Sequence, residues 1–216
     1  MDDVALKDYP TAVEKVCEVS KARAVDIFAH GVGSSTLTMA LLAGLENVNK
    51  VVCSQVSTHL YSLDLNVYKA KLRFPAWLPY LGKKHLTAYT DTNAGLCNKL
   101  YDASLWFMPV PKHERCNNAV CHRISTLFGE LYEHRQLNEA THNALPRMFG
   151  RVNLRAMRQL TEILMANHLI NADGENSYLP HVDKLTLPML FSSGANNDCV
   201  LPSSTLETYN LLRKTK

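Results

Sequence analysis

The chain has 216 residues, of which 46% are hydrophobic and 20% are charged, with a formal net charge of +3, as expected for one globular domain or one domain with an insertion. The basic residues are scattered and no apolar run is long enough to cross a bilayer, so we expect neither a nucleic-acid partner nor a transmembrane segment. Six dispersed cysteines and the acidic start Met1-Asp2-Asp3 make a reducing, cytoplasmic compartment the default.

A strand–helix–strand unit is predicted near the start of the chain. Apolar residues at helical spacing predict a helix over 10–22, and a mostly buried strand follows over 24–29. A glycine-rich turn, a helix over 34–45 and a second buried strand over 50–56 come next. Two strands joined by a helix within about thirty residues form a βαβ unit, so we expect parallel pairing with a right-handed crossover.

The middle of the chain predicts a helical insertion. No core strand is predicted between residues 57 and 181, and helical spacing recurs in three segments, 121–134, 138–149 and 153–169. The stretch 74–80 is rich in proline and aromatic residues. It predicts an apolar substrate entrance, a partner surface, or simply a loop anchored by its rings.

The end of the chain returns to the sheet. A third buried strand is predicted over 188–194 and a closing helix over 203–213, capped by Ser203 or Ser204. The predicted fold class is α/β, with a short parallel sheet and a long helical cap. Residues 1–56 and 182–216 are expected to form the sheet domain, and residues 57–181 the cap insertion.

The turn between the first strand and its helix resembles a nucleophile elbow. Such a turn strains the backbone of its central residue and needs small residues two positions before and after it. Ala29, Gly31 and Gly33 supply this frame, but Gly31 at the centre has no side chain with which to attack a carbonyl. A plain glycine turn and a phosphate-binding loop stay open as alternatives, although Gly31-Val32-Gly33 lacks the third glycine of a dinucleotide fingerprint.

Longer stretches of the chain resemble one family, the α/β-hydrolase domain found alone or fused behind flavin-dependent alcohol oxidases of the glucose-methanol-choline type, which include cholesterol oxidases. The stretches that carry the resemblance are Asp8-Tyr9-Pro10 through Ser34, Met39 to Leu45, Val52 to Val56, Arg115-Cys116-Asn117-Asn118-Ala119-Val120-Cys121-His122-Arg123-Ile124, Tyr178-Leu179-Pro180-His181, Gly194-Ala195-Asn196-Asn197 and Leu201-Pro202.

The resemblance implies a hydrolase fold, but also a catalytic apparatus that is incomplete here. Family members carry cysteine or serine where this chain has Gly31. Asn196 stands where a glutamate is expected, which leaves Asp198 as the possible acid. The Val32 amide is the expected oxyanion donor. The catalytic histidine and the first strands of the fold are expected to lie outside the 216 residues, which makes this chain a fragment or a pseudoenzyme.

Other candidate side chains have simpler explanations. Ser34 and Ser35 lie on the first helical turn, where hydroxyls usually bond backbone groups. His30 is expected to be a packing residue rather than a base, and His134, His142, His168 and His181 are each expected to be surface or core histidines.

A zinc site built from Cys116, Cys121 and His122 is not expected. The adjacent Cys121 and His122 would point in different directions on a helix, and their spacing from Cys116 is not that of a standard zinc knuckle. We therefore expect no metal and no cofactor in this chain. FAD is expected only in a fused oxidase domain, since no flavin fingerprint is present here.

The sequence thus predicts a catalytically impaired or fragmentary hydrolase-like domain, related to those linked to FAD-dependent sterol or alcohol oxidases. Its partners would be a flavin oxidase domain or further hydrolase segments, and an apolar or lipid-like small molecule is a possible ligand. Two alternatives stay open: an esterase or thioesterase whose nucleophile is replaced by Gly31, and a binding module that keeps only the scaffold.

Overall fold

The computed structural model describes residues 1–73, 76, 85–87, 103, 116 and 118–214. The chain divides into two compact units: Met1–Leu63 with Gln159–Lys216, called here the sheet unit, and Asp64–Arg158, called here the helical unit. Of the predicted apolar stretch 74–80, all but Ala76 lies outside the described residues.

The strands of the described residues are β1 (Val25–His30), β2 (Val48–Ser54), β3 (His85–Thr87), β4 (Arg151–Asn153) and β5 (Met189–Ser192). The α-helices are α1 (Tyr9–Ser20), α2 (Val32–Leu42), α3 (Asp64–Lys71), α4 (Ala119–Phe128), α5 (Glu139–Met148), α6 (Leu154–Ala166) and α7 (Pro202–Lys214). A π-helical turn (Val4–Asp8) precedes α1, and 3-10 turns cover His134–Gln136 and Leu179–Lys184. None of the helices among these residues is both long enough and apolar enough to cross a membrane.

The sheet unit is built on a parallel sheet in the order β1-β2-β5. Phe28 pairs in register with Val52, and Val52 with Leu190, so the three side chains form one row across the sheet. The prediction of three adjacent parallel strands over 24–29, 50–56 and 188–193 is confirmed. The mixed α/β class is confirmed with it.

One face of this sheet is covered and the other is open. Ala29, Val51 and Cys53 are buried in the main core with residues of α2, α6 and α7. On the opposite face the side chains of Phe28 and Leu190 are 71% and 62% exposed. Parallel sheets are usually covered on both faces, so this open face is unusual.

Residues after the helical unit also belong to the main core. Ile163, Leu169, Ile170 and Tyr178 are buried in the same cluster as the sheet residues. The predicted insertion ran to residue 181, whereas the compact units separate at Arg158 and Gln159. The apolar face of α6 accounts for the difference, because it packs into the core that the strands build.

The helical unit has a small core of its own. Val120, Cys121, Ile124 and Leu145 form its buried apolar cluster among the described residues. Helix α4 begins at the cap Asn118, whose side chain accepts a hydrogen bond from the Val120 amide. Strands β3 and β4 form an antiparallel pair in the same unit.

Helix α4 is shorter than the sequence predicted. The predicted helix covers 121–134, whereas α4 ends at Phe128. Gly129 follows with φ 87° and ψ −165°, a conformation that a side chain would disfavour, and the chain leaves the helical path there. The 3-10 turn at His134–Gln136 therefore lies outside the helix.

Candidate functional site

The sharp turn after β1 is formed by Gly31, which caps helix α2. Its backbone has φ 55° and ψ −128°, in the positive-φ half of the map that disfavours side chains. The Gly31 amide donates to the Ser54 carbonyl at 3.0 Å, and the Gly31 carbonyl accepts from the Ser34 amide at 2.9 Å. The turn thus ends the β1–β2 ladder and begins α2 within one residue.

The small residues on either side of Gly31 have different surroundings. Ala29 is buried in the core. The Tyr9 hydroxyl donates to the Gly33 carbonyl at 2.9 Å, and a Cβ added to Gly33 would lie 3.9 Å from that hydroxyl oxygen. Burial raises the pKa of Tyr9, which keeps the hydroxyl protonated as a donor. A Cβ at Gly33 would therefore make an ordinary van der Waals contact with Tyr9.

Gly31 itself has room for a side chain. A Cβ built on Gly31 meets no atom of the described residues within 4 Å. Only the backbone conformation opposes a larger residue there, at a cost of about 1–3 kcal/mol. The missing nucleophile is therefore a property of the sequence and not of a blocked site.

The neighbouring serines are structural. Ser34 is fully buried; its hydroxyl donates to the Ala29 carbonyl at 2.7 Å and accepts from the Ser54 amide at 3.1 Å. These bonds tie the first turn of α2 to the ends of β1 and β2. Ser35 is also buried, at 2% exposure. Neither hydroxyl is placed to attack a substrate in solvent.

The other two predicted catalytic positions lie at the same edge of the sheet. Val32 begins α2, so its amide has no partner within the helix, and its side chain is 46% exposed. Asp198 is exposed in the loop after β5, where the Asn197 side chain accepts from the Cys199 and Val200 amides. Because β2 separates β1 from β5, the ends of the two outer strands are about 10 Å apart.

No catalytic acid–histidine pair is formed by Asp198. Within the described residues, no hydrogen bond or ion pair joins its carboxylate to a histidine. His181 lies in the 3-10 turn Leu179–Lys184, and His168 bonds the Ala166 carbonyl at 2.7 Å.

A serine–histidine contact occurs at the strand ends. The Nδ1 atom of His30 lies 3.1 Å from the Ser54 hydroxyl oxygen, and the His30 side chain is exposed. A nucleophile beside a base is the minimum of a hydrolytic site, but a third group normally orients the base. His30 was expected from the sequence to be a packing residue, and its contact with Ser54 was not predicted.

A second group of reactive side chains lies in the helical unit. Cys116, Cys121, His134 and His142 each offer one ligand atom, and these atoms all lie within 4.8 Å of one another. The Nε2 atom of His142 is 3.2 Å from the sulfur of Cys121 and 3.5 Å from that of Cys116. The ring of His134 packs edge-on against that of His142, with ring centres 5.3 Å apart.

Electrostatics oppose ionisation of the buried thiol in this group. Burial, followed by the hydrogen bond and the like charge of Cys116, raises the pKa of Cys121. Without a bound cation the Cys121 thiol is therefore held in its protonated, unreactive form. Cys116 and Cys121 are both free thiols.

These two cysteines were combined in the sequence analysis with a different histidine, His122. His122 follows Cys121 on α4 and is not in the group, as its direction on the helix implied. The sequence spacing does contain a signal for this group, because Cys116-x4-Cys121-x12-His134 fits the spacing C-x2–4-C-x12-H of small zinc modules. The last interval, His134-x7-His142, is longer than the usual three to five residues.

No protein-family model matches the chain. No curated protein is significantly similar to it in sequence. The resemblance to α/β-hydrolase domains therefore rests on the sequence stretches quoted above.

Proposed function

We propose that this chain is an α/β-hydrolase-like domain that has lost hydrolytic chemistry, of the kind linked to flavin-dependent alcohol oxidases. The observation that carries the proposal is Gly31. It occupies the centre of a strand-to-helix elbow, in a positive-φ conformation, without a side chain. The small flanking residues and the parallel order of β1 and β2 support the same assignment.

The expected rate follows from the cooperation of catalytic groups. A triad acts as a unit, and without its nucleophile only residual catalysis from binding and the oxyanion hole is left. The Val32 amide is the one oxyanion donor assigned here. An apolar or lipid-like ligand and a flavin oxidase partner belong to this proposal as the family resemblance implies them.

One observation favours a second candidate, a weak esterase that uses Ser54 and His30. Their contact of 3.1 Å is within the reach of a nucleophile and its base. Among the described residues no carboxylate is recorded on the other nitrogen of His30, so nothing orients the base. We therefore rank this candidate below the loss of activity.

The experiment is a hydrolysis assay of the full chain with short p-nitrophenyl esters and acyl-thioesters. We expect no turnover above buffer, and none from the variants Gly31→Ser and Gly31→Cys, because a nucleophile alone restores no base. These two variants should lose about 1–3 kcal/mol of unfolding free energy from the positive φ.

Three further variants identify the source of any activity. Turnover lost in both Ser54→Ala and His30→Ala would overturn the proposal in favour of the second candidate. Turnover lost in Ser34→Ala alone, with the protein still folded, would reveal a displaced nucleophile. Ser203→Ala serves as the matched control, because Ser203 is exposed on α7 at the far end of the chain.

A further inference from the structure

We propose that Cys116, Cys121, His134 and His142 bind one Zn²⁺ ion in a tetrahedral structural site. This group departs from the expectation of a metal-free chain. That expectation rested on testing His122 as the third ligand, whereas the fold brings together two histidines that are distant in sequence. The ligand set is independent of the elbow and of any hydrolase assignment.

The distances are close to those that a tetrahedral ion requires. Zinc bonds of about 2.3 Å to sulfur and 2.0–2.1 Å to nitrogen place a sulfur and a nitrogen about 3.6 Å apart and two sulfurs about 3.8 Å apart. The Nε2 atom of His142 already lies 3.2 and 3.5 Å from the two sulfurs. The widest ligand pair is within 4.8 Å, so a side-chain movement of about 1 Å closes the site.

The chemistry of the donors favours zinc. Two thiolates and two neutral imidazoles in tetrahedral arrangement are a preferred set for Zn²⁺. On binding, each thiol gives its proton to solvent and the ion replaces both. The two negative charges of the thiolates then balance the divalent ion, and a neutral complex fits a site in which Cys121 is buried and the other three ligands are half-buried.

The ligands come from separate elements of the helical unit. Cys116 precedes α4, Cys121 lies in its first turn, His134 lies in the 3-10 turn after Gly129, and His142 lies in α5. One ion would join these segments in a unit that has few fully buried apolar residues among those described. Four protein ligands leave no open position for substrate, so the site is structural rather than catalytic.

A disulfide between Cys116 and Cys121 is the competing use of the same sulfurs. It would remove both thiolates and leave the histidines without a metal. The described cysteines are all free thiols, and both sulfurs face His142. Mass measurement after alkylation separates the two cases, because a disulfide blocks two alkylation sites.

The test measures metal bound to the full chain, purified with reductant and without a histidine tag. Elemental analysis should find about one zinc per chain, and cobalt substitution should give the intense visible bands and thiolate charge-transfer absorption of a tetrahedral site. Chelation should lower the melting temperature. We expect Cys116→Ser and His142→Ala to weaken zinc affinity about 100-fold or more, since each removes one of four ligands.

Matched variants separate ligation from folding. His122→Gln changes a buried histidine beside Cys121, and Cys53→Ser changes a buried cysteine of the sheet unit; both should keep one zinc per chain. Since Cys116 and His142 are only half-buried, their variants are expected to stay soluble and helical. Soluble, helical wild-type protein with less than about a tenth of an equivalent of zinc would overturn the proposal. Stoichiometric iron or copper, or zinc retained by both ligand variants, would overturn it equally.

Discussion

At the scale of single residues, Gly31 carries most of the functional argument. Its positive φ is tolerated by glycine at no steric cost, whereas serine or cysteine is held there only when the surrounding structure enforces the strain. Strain at this position is useful to an enzyme only when it positions a nucleophilic side chain, and Gly31 has none. Glycine at this position is therefore consistent with a turn that is kept for structure.

A second residue-scale feature is the anchor made by Asp2. Its carboxylate accepts hydrogen bonds from the Tyr178 hydroxyl at 2.8 Å, the Gln159 amide nitrogen at 2.7 Å and the Ala172 amide at 2.7 Å. Tyr178 is buried in the main core. The family-like motif that begins at Tyr178 thus has a structural role, because it holds the start of the chain on the sheet unit.

The hydrogen bond between Tyr178 and Asp2 predicts that stability depends on pH. Burial, and next the bond to Asp2, raise the pKa of Tyr178 above its ordinary value near 10. Its stabilising effect is complete below about pH 10, where both folded and unfolded tyrosine are protonated, and is lost as pH rises toward the folded pKa. We expect wild-type stability to fall above about pH 10, and Tyr178→Phe to be less stable at neutral pH with a shallower alkaline loss.

Denaturant titrations at several pH values measure this difference. Tyr209→Phe is the control, because Tyr209 is 46% exposed on α7 and stacks with Arg213 at the surface. It should follow the wild-type profile. Equal alkaline slopes in wild type and Tyr178→Phe would contradict a linked Tyr178–Asp2 pair.

At the scale of elements, the open face of the parallel sheet is the main liability. The row Phe28, Val52 and Leu190 places apolar side chains beside solvent, and β1 and β5 are the outer strands of the sheet. Exposed apolar strand surface next to a sheet edge promotes association. We therefore expect the isolated chain to be only marginally stable and to aggregate.

Two neighbouring substitutions on β5 test the difference between the faces. Leu190→Thr should reduce aggregation and change the unfolding free energy by less than about 0.5 kcal/mol, since the side chain is already exposed. Phe191→Thr, on the face packed against the core, should cost about 1–3 kcal/mol. Light scattering and denaturant unfolding measure both effects. A large stability loss from Leu190→Thr would mean that the open face is covered in solution.

At the scale of the whole molecule, each of the two units holds a different candidate site. The sheet unit carries the elbow, and the helical unit carries the cysteine–histidine group. The glycine turn of the sheet unit departs from a dinucleotide-binding fingerprint. The third glycine of a dinucleotide fingerprint would fall at Thr36, which is buried and bonds the Val32 and Gly33 carbonyls.

We therefore predict that the full chain binds no FAD. Purified protein should lack visible flavin absorbance, and titration should leave flavin fluorescence unquenched, with an established flavoprotein as the positive control. The end of β2 supports the same prediction, because it carries no acidic residue where a dinucleotide-binding fingerprint would place the ribose contact. Yellow protein with one FAD per chain would refute the prediction. The flavin would then be bound by this chain and not by a separate oxidase domain.

Much of the sheet unit followed from local sequence pattern. Apolar runs and helical spacing predicted β1, β2, β5 and the helices α1, α2 and α6, because side-chain periodicity and backbone preference act over a few residues. The small–x–Gly–x–small frame predicted a sharp turn at Gly31 for the same reason. Helix α4 was predicted too long, since its end depends on one glycine that takes a positive φ only when the chain turns away.

Contacts between distant residues were decided by the tertiary structure alone. Asp2 meets Tyr178 and Cys121 meets His142 because packed elements bring them together, and no local preference encodes that distance. The tertiary structure also decided which sheet face is open, since strand periodicity cannot tell which side the helices will cover. The sequence by itself determined most strands and helices of the sheet unit and the glycine at position 31, because these depend on neighbouring residues. The fold decided which side chains became a candidate metal site, because that depends on packing across the chain.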